Sequence, residues 1–341
     1  MYEKIKELRE KAKVRASRHN PYKPVAYWSE KDNVMGRVVR AFVAILRTRG
    51  CYWALSGGCT MCGYIQDAYM RPITEGQLLA QLEALKKAYS GEDYVKIFTS
   101  GSFLDRGEIP TKLYDEIFSC FSTAKVVSIE SRPEFITKDA IENLKTVKRD
   151  YGLEIEVSIG LESSNENILR NLINKGFGIE SYVKAAKLLK DENFLVKTYV
   201  LLKPPFVSEY YAMMDAINSV IFASNFSDKI SINPTVIQRY TLVEDLYKRG
   251  LYKTPWVYTL MTVLKRTKLE KPDAIIVSYP MKKLKKGGLR GCERCLEKNI
   301  QKIIDFSLTQ DVSKLNIEES CPCYEIWKKE LYVSKKNPYL P

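Results

Sequence analysis

Short apolar, β-branched runs alternate with longer stretches of helical spacing through the first two thirds of the chain. The runs from Val38 to Leu46, Tyr94 to Phe98, Val126 to Ile129, Leu153 to Ile159, Leu195 to Leu202 and Lys229 to Ile232 read as strands. Between them, Thr74 to Tyr89 places Leu78, Leu79, Leu82 and Leu85 on one helical face, with Thr74 as its cap. A further helix starts near Pro110, a residue suited to a first helical turn. Lys138 to Val147, Tyr182 to Leu189 and Tyr211 to Ala223 complete the series. Strand and helix thus alternate six times, which predicts parallel βα units joined by right-handed crossovers. Six units rather than eight predict a partial (β/α)6 barrel of the TIM type, open on one side.

Flanking segments break this rhythm. Tyr2 to Arg18 is basic and helical in spacing, with Ile5, Leu8 and Ala12 as a thin apolar stripe able to dock on the body. From Val236 onward the spacing predicts helices over Leu246 to Leu251 and Trp256 to Thr267, and one more strand over Ala274 to Ser278. The expected organisation is a basic N-terminal helical extension (1–36), the partial barrel (37–240) and a C-terminal cysteine-rich region (241–341). No apolar run is long enough to span a bilayer and no signal-peptide core opens the chain, so a cytoplasmic protein is expected.

Composition sharpens the picture in three places. The net charge is +13, from 54 Lys and Arg against 41 Asp and Glu, which favours an anionic partner, nucleic acid first, over a merely lysine-rich surface. A single histidine, His19, argues against histidine acid–base chemistry and against a multi-histidine zinc site. Of eight cysteines, seven fall into two tight groups, which favours metal sites over disulfides; Cys120 stands apart as a core thiol.

The first group, Cys51, Cys59 and Cys62, lies in CYWALSGGCTMC, directly after the first predicted strand. Gly57 and Gly58 let the backbone fold back towards Cys51. Three thiolates at a strand's C-terminal end suit an iron–sulfur cluster with one iron left open, whereas a structural zinc site wants a fourth ligand. The second group pairs Cys292 and Cys295 (C-x2-C) with Cys321 and Cys323 (C-x-C). Four thiolates satisfy a closed zinc site, and a second cluster is the rival. Lys282, Lys283, Lys285, Lys286 and Arg290 beside it form a basic, glycine-rich stretch that suits nucleic-acid phosphates or a solvated loop.

Three cysteines after the first strand of a partial barrel resemble the radical S-adenosylmethionine (SAM) superfamily. The C-x7-C-x2-C spacing departs from its commonest C-x3-C-x2-C, as happens in the elongator-type tRNA-modifying branch. Together, CYWALSGGCTMCGY, TSGSFLD, ESRPE, GLES and the late cysteine pairs resemble the radical enzymes of archaeosine biosynthesis, from about Val38 to Trp327.

The resemblance implies that Cys51, Cys59 and Cys62 ligate a [4Fe–4S] cluster whose open iron binds SAM. It places Met61 and Tyr64 near the adenine, and Thr99, Ser100, Gly101 and Ser102 at the cofactor's amino group, where a hydroxyl-rich turn replaces the usual Gly-Gly-Glu. Glu130, Arg132 and Glu162 end the next two strands and become candidates for cofactor or substrate contacts, the bland alternative being an internal salt-bridge network. The implied reaction is C–N cleavage of a lysine adduct on a 7-deazaguanine nucleotide (preQ0-lysine) in the D-loop of archaeal tRNA, giving archaeosine. Implied partners are tRNA, the lysine-transferring archaeosine synthase and an electron donor. Two other readings stay open: a radical SAM enzyme acting on a different tRNA or a small molecule, and a non-enzymatic zinc-containing nucleic-acid-binding protein.

Overall fold

The computed structural model describes residues 2–16, 18–280 and 287–338. Its centre is one eight-stranded sheet in the order β1 to β8. The strands are β1 (Ala26–Val34), β2 (Arg37–Ile45), β3 (Tyr94–Phe98), β4 (Val126–Ser131), β5 (Glu154–Glu162), β6 (Leu195–Leu202), β7 (Lys229–Pro234) and β8 (Ile275–Val277). Strands β2 to β8 run parallel, and β1 pairs antiparallel with β2. The six predicted βα strands are β2 to β7, so the partial barrel stands. Strand β1 is an addition: it lies in the segment expected to be a helical extension. Its sequence, AYWSEKDNV, has little apolar content because its inward positions carry Glu30 and Asp32.

The helices are α1 (Tyr2–Ala16), α2 (Tyr52–Leu55), α3 (Glu75–Ala88), α4 (Tyr114–Ser119), α5 (Lys138–Tyr151), α6 (Ile179–Asp191), α7 (Glu209–Ala223), α8 (Leu242–Lys248), α9 (Val257–Glu270), α10 (Glu293–Thr309) and α11 (Pro322–Lys336). A capping box at Thr74 and Gln77 starts α3, and the Thr137 side chain caps α5. Outward strand residues such as Val95, Ile97, Val127, Ile155, Val157 and Val196 meet Leu78, Leu82, Ile141, Leu144 and Leu189 in one continuous core.

Inward positions are polar. At the floor of the barrel Asp32 accepts hydrogen bonds from Lys96 (2.7 Å), Lys229 (3.0 Å) and Tyr279 (2.8 Å). Lys96 also reaches Glu30, and Glu156 accepts from Ser128 at 2.7 Å. The floor's lysines are thus paired with carboxylates, and Glu156 is held by the hydroxyls of Ser128 and Tyr94.

Helix α10 bridges the two open edges of the sheet. Asn33 of β1 donates to the Leu308 carbonyl at 2.8 Å. On the other side the Gln310 side chain accepts from Ile276 N–H and donates to its carbonyl, both at 2.9 Å, so an amide takes the place of a ninth strand. No described helix is long and apolar enough to cross a membrane.

Candidate cluster and cofactor site

Strand β2 delivers the chain to the mouth of the barrel, where Cys51 N–H donates to the Ser100 carbonyl at the end of β3 (3.2 Å). Gly50 has φ +88°, and a Cβ there would meet Ile65 and Ala68 at 2.6 and 2.7 Å. Gly58 has φ +85°, with Ala54 Cα 2.8 Å from its would-be Cβ. These two positions turn the loop so that Cys59, buried, returns towards Cys51, the N-cap of α2. Thr60 pins the loop's far side: its N–H and hydroxyl both donate at 2.9 Å, to Ile173 and Leu172 carbonyls.

A residue without any signal in the sequence holds this loop from beneath. Arg9 of α1 is only 2% exposed. Its Nε donates to Gly57 O and its Nη2 to Cys59 O, both at 2.8 Å, and Nη1 reaches Tyr240 O at 3.5 Å. The basic N-terminal helix docks through the expected apolar stripe, since Ile5, Leu8 and Ala12 are buried. The exposed lysines Lys4, Lys6, Lys11 and Lys13 pair with glutamates of the same helix.

The other predicted residues gather around the same mouth. Arg132 lies over the rings of Tyr52, Trp53 and Phe177, with Nε 2.6 Å from Glu134 and Nη2 donating to Lys175 O at 3.0 Å. Glu162 sits at a β-bulge with φ +67°, a left-handed conformation uncommon outside glycine, and pairs with buried Lys175 at 2.7 Å. Lys175 and Arg132 both act electrostatically on Cys59, a placement that suits a site of clustered thiolates. Burial, helped by the nearby Cys59 and Glu108, pushes the Cys51 thiol up to about 12, with Arg132 opposing.

The Thr99–Ser102 turn is shaped by Glu108, whose carboxylate accepts from Ser102 N–H (2.7 Å) and the Thr48 hydroxyl (2.6 Å). Burial raises the Glu108 carboxyl to about 7. At Gly101 a side chain has no room between Glu108 and the Cys51 backbone. Met61 packs between the Ile173–Leu201 cluster and the Val243–Leu246 cluster. Tyr64 is 58% exposed, and Glu130 and Tyr199 lie within electrostatic reach of its hydroxyl. Glu130 accepts from Thr99 N–H at 3.3 Å, and burial raises its carboxyl to about 8. Arg132 and Glu162 are ion-paired, with Glu134 and Lys175, whereas Glu130 has no cation within 4.0 Å among the described residues.

The C-terminal cysteines meet where two helices begin. Cys292 is the N-cap of α10 and Cys321 that of α11, with Pro322 next, and Cys295 and Cys323 follow in the first turns. Sulfur separations are 3.4 Å (Cys292–Cys295 and Cys292–Cys321), 3.3 Å (Cys321–Cys323), 3.1 Å (Cys295–Cys323) and 3.6 Å (Cys292–Cys323). Two metal–sulfur bonds of about 2.3 Å around one tetrahedral ion put thiolates about 3.8 Å apart, so this donor set fits a single ion. Tyr258 Oη adds a contact to Cys323 Sγ at 3.2 Å.

Arg290, expected at nucleic-acid phosphates, is engaged within the protein. Arg290 turns inward: it stacks on Trp256, its Nη1 lies 2.9 Å from Glu330, and its Nη2 lies 3.1 Å from Glu209. Glu209 in turn pairs with Lys203, just past β6, at 3.0 Å. Its guanidinium is committed to carboxylates that tie the cysteine-rich region to the barrel. Lys282, Lys283, Lys285 and Lys286 lie outside the described residues.

A cysteine loop at the mouth of an open parallel barrel is the arrangement expected of a radical SAM protein. Residues 45–216 match the model of the Radical SAM superfamily. The chain is 36% identical to archaeosine synthase subunit beta of Methanosarcina acetivorans, covering 96% of this chain and 95% of that protein. It is also 36% identical to archaeosine synthase subunit beta of Thermococcus kodakarensis, covering 87% and 94%. A shorter match reaches elongator complex protein 3 of Dictyostelium discoideum, 28% identical over 37% of this chain and 22% of that one. The chain belongs to the radical SAM superfamily and, within it, to the archaeosine synthase subunit beta family. Membership of a radical enzyme family removes the non-enzymatic zinc-protein reading.

Proposed function

We propose that this chain is the radical SAM C–N lyase of archaeosine formation, releasing archaeosine from a preQ0-lysine nucleotide in the D-loop of archaeal tRNA. The observation that carries the reading is near-complete alignment with two archaeosine synthase beta subunits, in a fold whose cysteine loop stands at an open mouth. Cys51, Cys59 and Cys62 would hold the [4Fe–4S] cluster, and the Thr99–Ser102 turn with Gly101 would cradle SAM. When bound, cluster and SAM together supply the hydrogen-abstracting radical. The chain's own share is placement: Arg9 fixes the loop carbonyls, Lys175 and Arg132 offset thiolate charge, and the open mouth of the barrel admits a base turned out of the tRNA stack.

One zinc ion at Cys292, Cys295, Cys321 and Cys323 fits the sulfur separations better than a second cluster, and its role is structural. The net charge of +13 supports tRNA binding, and the subunit names of the relatives support a complex with the lysine-transferring synthase. A cytoplasmic location follows from that substrate, and an electron donor is required.

The test is anaerobic reconstitution with tRNA carrying the lysine adduct, SAM and a strong reductant, followed by nucleoside mass spectrometry. Archaeosine appearing together with 5′-deoxyadenosine supports the reading. Cofactor cleavage with an unchanged nucleoside, under conditions where the adducted tRNA binds, overturns it.

A further inference from the structure

The floor of the barrel and the space above it treat buried charge in opposite ways. On β6, Thr198 bonds Tyr182 of the outer helix α6 at 2.7 Å, so its neighbours Lys197 and Tyr199 face the interior. Lys197 is 5% exposed, yet among the described residues its ammonium has neither a hydrogen bond nor a carboxylate within 4.0 Å. The Tyr199 ring lies 5.2 Å from its Nζ. A lysine this enclosed usually has a carboxylate partner, and Lys197 has none within 4.0 Å among the described residues.

A second orphan faces the same space. Glu130 lies opposite Ser158 in the β4–β5 register, and Ser158 lies opposite Lys197 in the β5–β6 register. At about 4.8 Å per strand, the two α-carbons stand about 10 Å apart, with a serine hydroxyl between them. The carboxyl of Glu130 takes one backbone hydrogen bond at 3.3 Å and has no cation partner. Electrostatically Lys197 acts on both Asp32 and Glu130, so it stands between the closed floor and the mouth. Tyr64 lies within electrostatic reach of Glu130 and Tyr199.

We propose that Lys197, Ser158 and Glu130 form a subsite for the head of an amino acid, Lys197 taking its carboxylate and Glu130 its ammonium. The assignment rests on the proposed reaction: a lysine joined to the base through either of its nitrogens keeps one free amine and its carboxylate. The base stays at the mouth beside the cysteine loop while the lysine arm reaches down to Lys197 and Glu130. Ligand binding then completes in the chamber the pairing that the floor already has.

The experiment compares binding of two tRNAs, one with the lysine adduct and one with the same base unadducted, to the cluster-loaded protein. The wild-type protein prefers the adduct. Lys197→Met, close in volume and free of a buried charge, cuts that preference about tenfold, and Lys197→Arg keeps most of it. Glu130→Gln cuts it severalfold. Matching thermal melts of the Met variant and the wild type separate lost recognition from lost folding. The subsite is overturned if Lys197→Met keeps the preference, or if it weakens SAM binding by the same factor, which would give Lys197 to the cofactor. A wild-type protein that shows no preference and never cleaves the adduct overturns the parent reading as well. Cleavage by wild type with an unaltered Met variant overturns the subsite alone.

Discussion

The chain carries two cysteine groups built on the same C-x2-C step, and they solve opposite problems. In the C-terminal group four sulfurs converge from two helix N-termini, with the separations quoted above between 3.1 and 3.6 Å. It is the only set of three or more potential ligands, among the described residues, whose atoms all lie within 4.8 Å of one another. Cys51, Cys59 and Cys62 do not gather that tightly, although the loop that bears them is firmly held. A single ion needs every thiolate within two bond lengths of its fellows. A cluster spreads its thiolates over different irons and can leave one iron open. Nuclearity is therefore written in sulfur spacing, where residue spacing along the chain leaves it open. Under the proposed assignment, one group closes on its metal and braces the fold, and the other keeps an open position at a barrel mouth.

The largest effect comes from breaking the open group. Cys59→Ser should abolish cluster iron and archaeosine formation outright while leaving one zinc per chain and an unchanged melting curve. Loss of zinc in this variant, measured by elemental analysis, would mean that the groups are not independent.

Breaking the closed group should do the reverse. Cys323→Ser should release zinc and lower the melting temperature by about 5 °C or more, since structural zinc contributes directly to folding. Iron should remain in the folded fraction. The destabilisation should reach the barrel through Arg290, Glu209 and Lys203, so limited proteolysis near the end of β6 should accelerate. About eight irons and no zinc in the wild-type protein would make the C-terminal group a second cluster.

The parts that were legible in the sequence are those with a period. Strands β3 and β6 match their predicted ends, and β2, β4, β5 and β7 differ by a few residues at the termini. Both cysteine groups carry their own spacing. What stayed hidden is made of single residues whose partners are far along the chain. Arg9 is claimed by Gly57 and Cys59, 48 and 50 residues away, and Arg290 by Glu209, 81 residues away. In sequence Arg290 sits beside a lysine run and looks like one more surface cation; only the fold brings it two carboxylates. Strand β1 escaped because its inward face carries charges, which erases the alternation that marks a half-buried strand. Lys175 and Lys197 are ordinary lysines until the barrel buries them.

A smaller effect tests how the open group keeps its shape without a fourth ligand. Arg9→Met leaves two loop carbonyls without their buried donor and removes a positive charge next to Cys59 O. Iron retained after anaerobic desalting should fall severalfold, and the midpoint potential of the remaining cluster should drop, because a nearby cation favours the reduced, more negative state. Lys at this position should restore part of the potential but less of the iron, since it cannot make the guanidinium's divergent hydrogen bonds. An unchanged potential in Arg9→Met would reduce Arg9 to a packing residue.

The smallest effect belongs to the closed group, and its smallness is informative. Tyr258 is buried, and its hydroxyl lies 3.2 Å from Cys323 Sγ. Once Cys323 is a metal-bound thiolate the hydroxyl can only donate, and such outer contacts tune affinity rather than create it. Tyr258→Phe should speed zinc loss to a competing chelator by about tenfold at most, with no change in iron, cofactor cleavage or archaeosine yield. A closed site with four ligands tolerates the loss of one donor outside them. An open site with three does not have that margin, so the Arg9 and Tyr258 variants should differ in kind: the first should alter the chemistry of its metal group, the second only how long its metal stays.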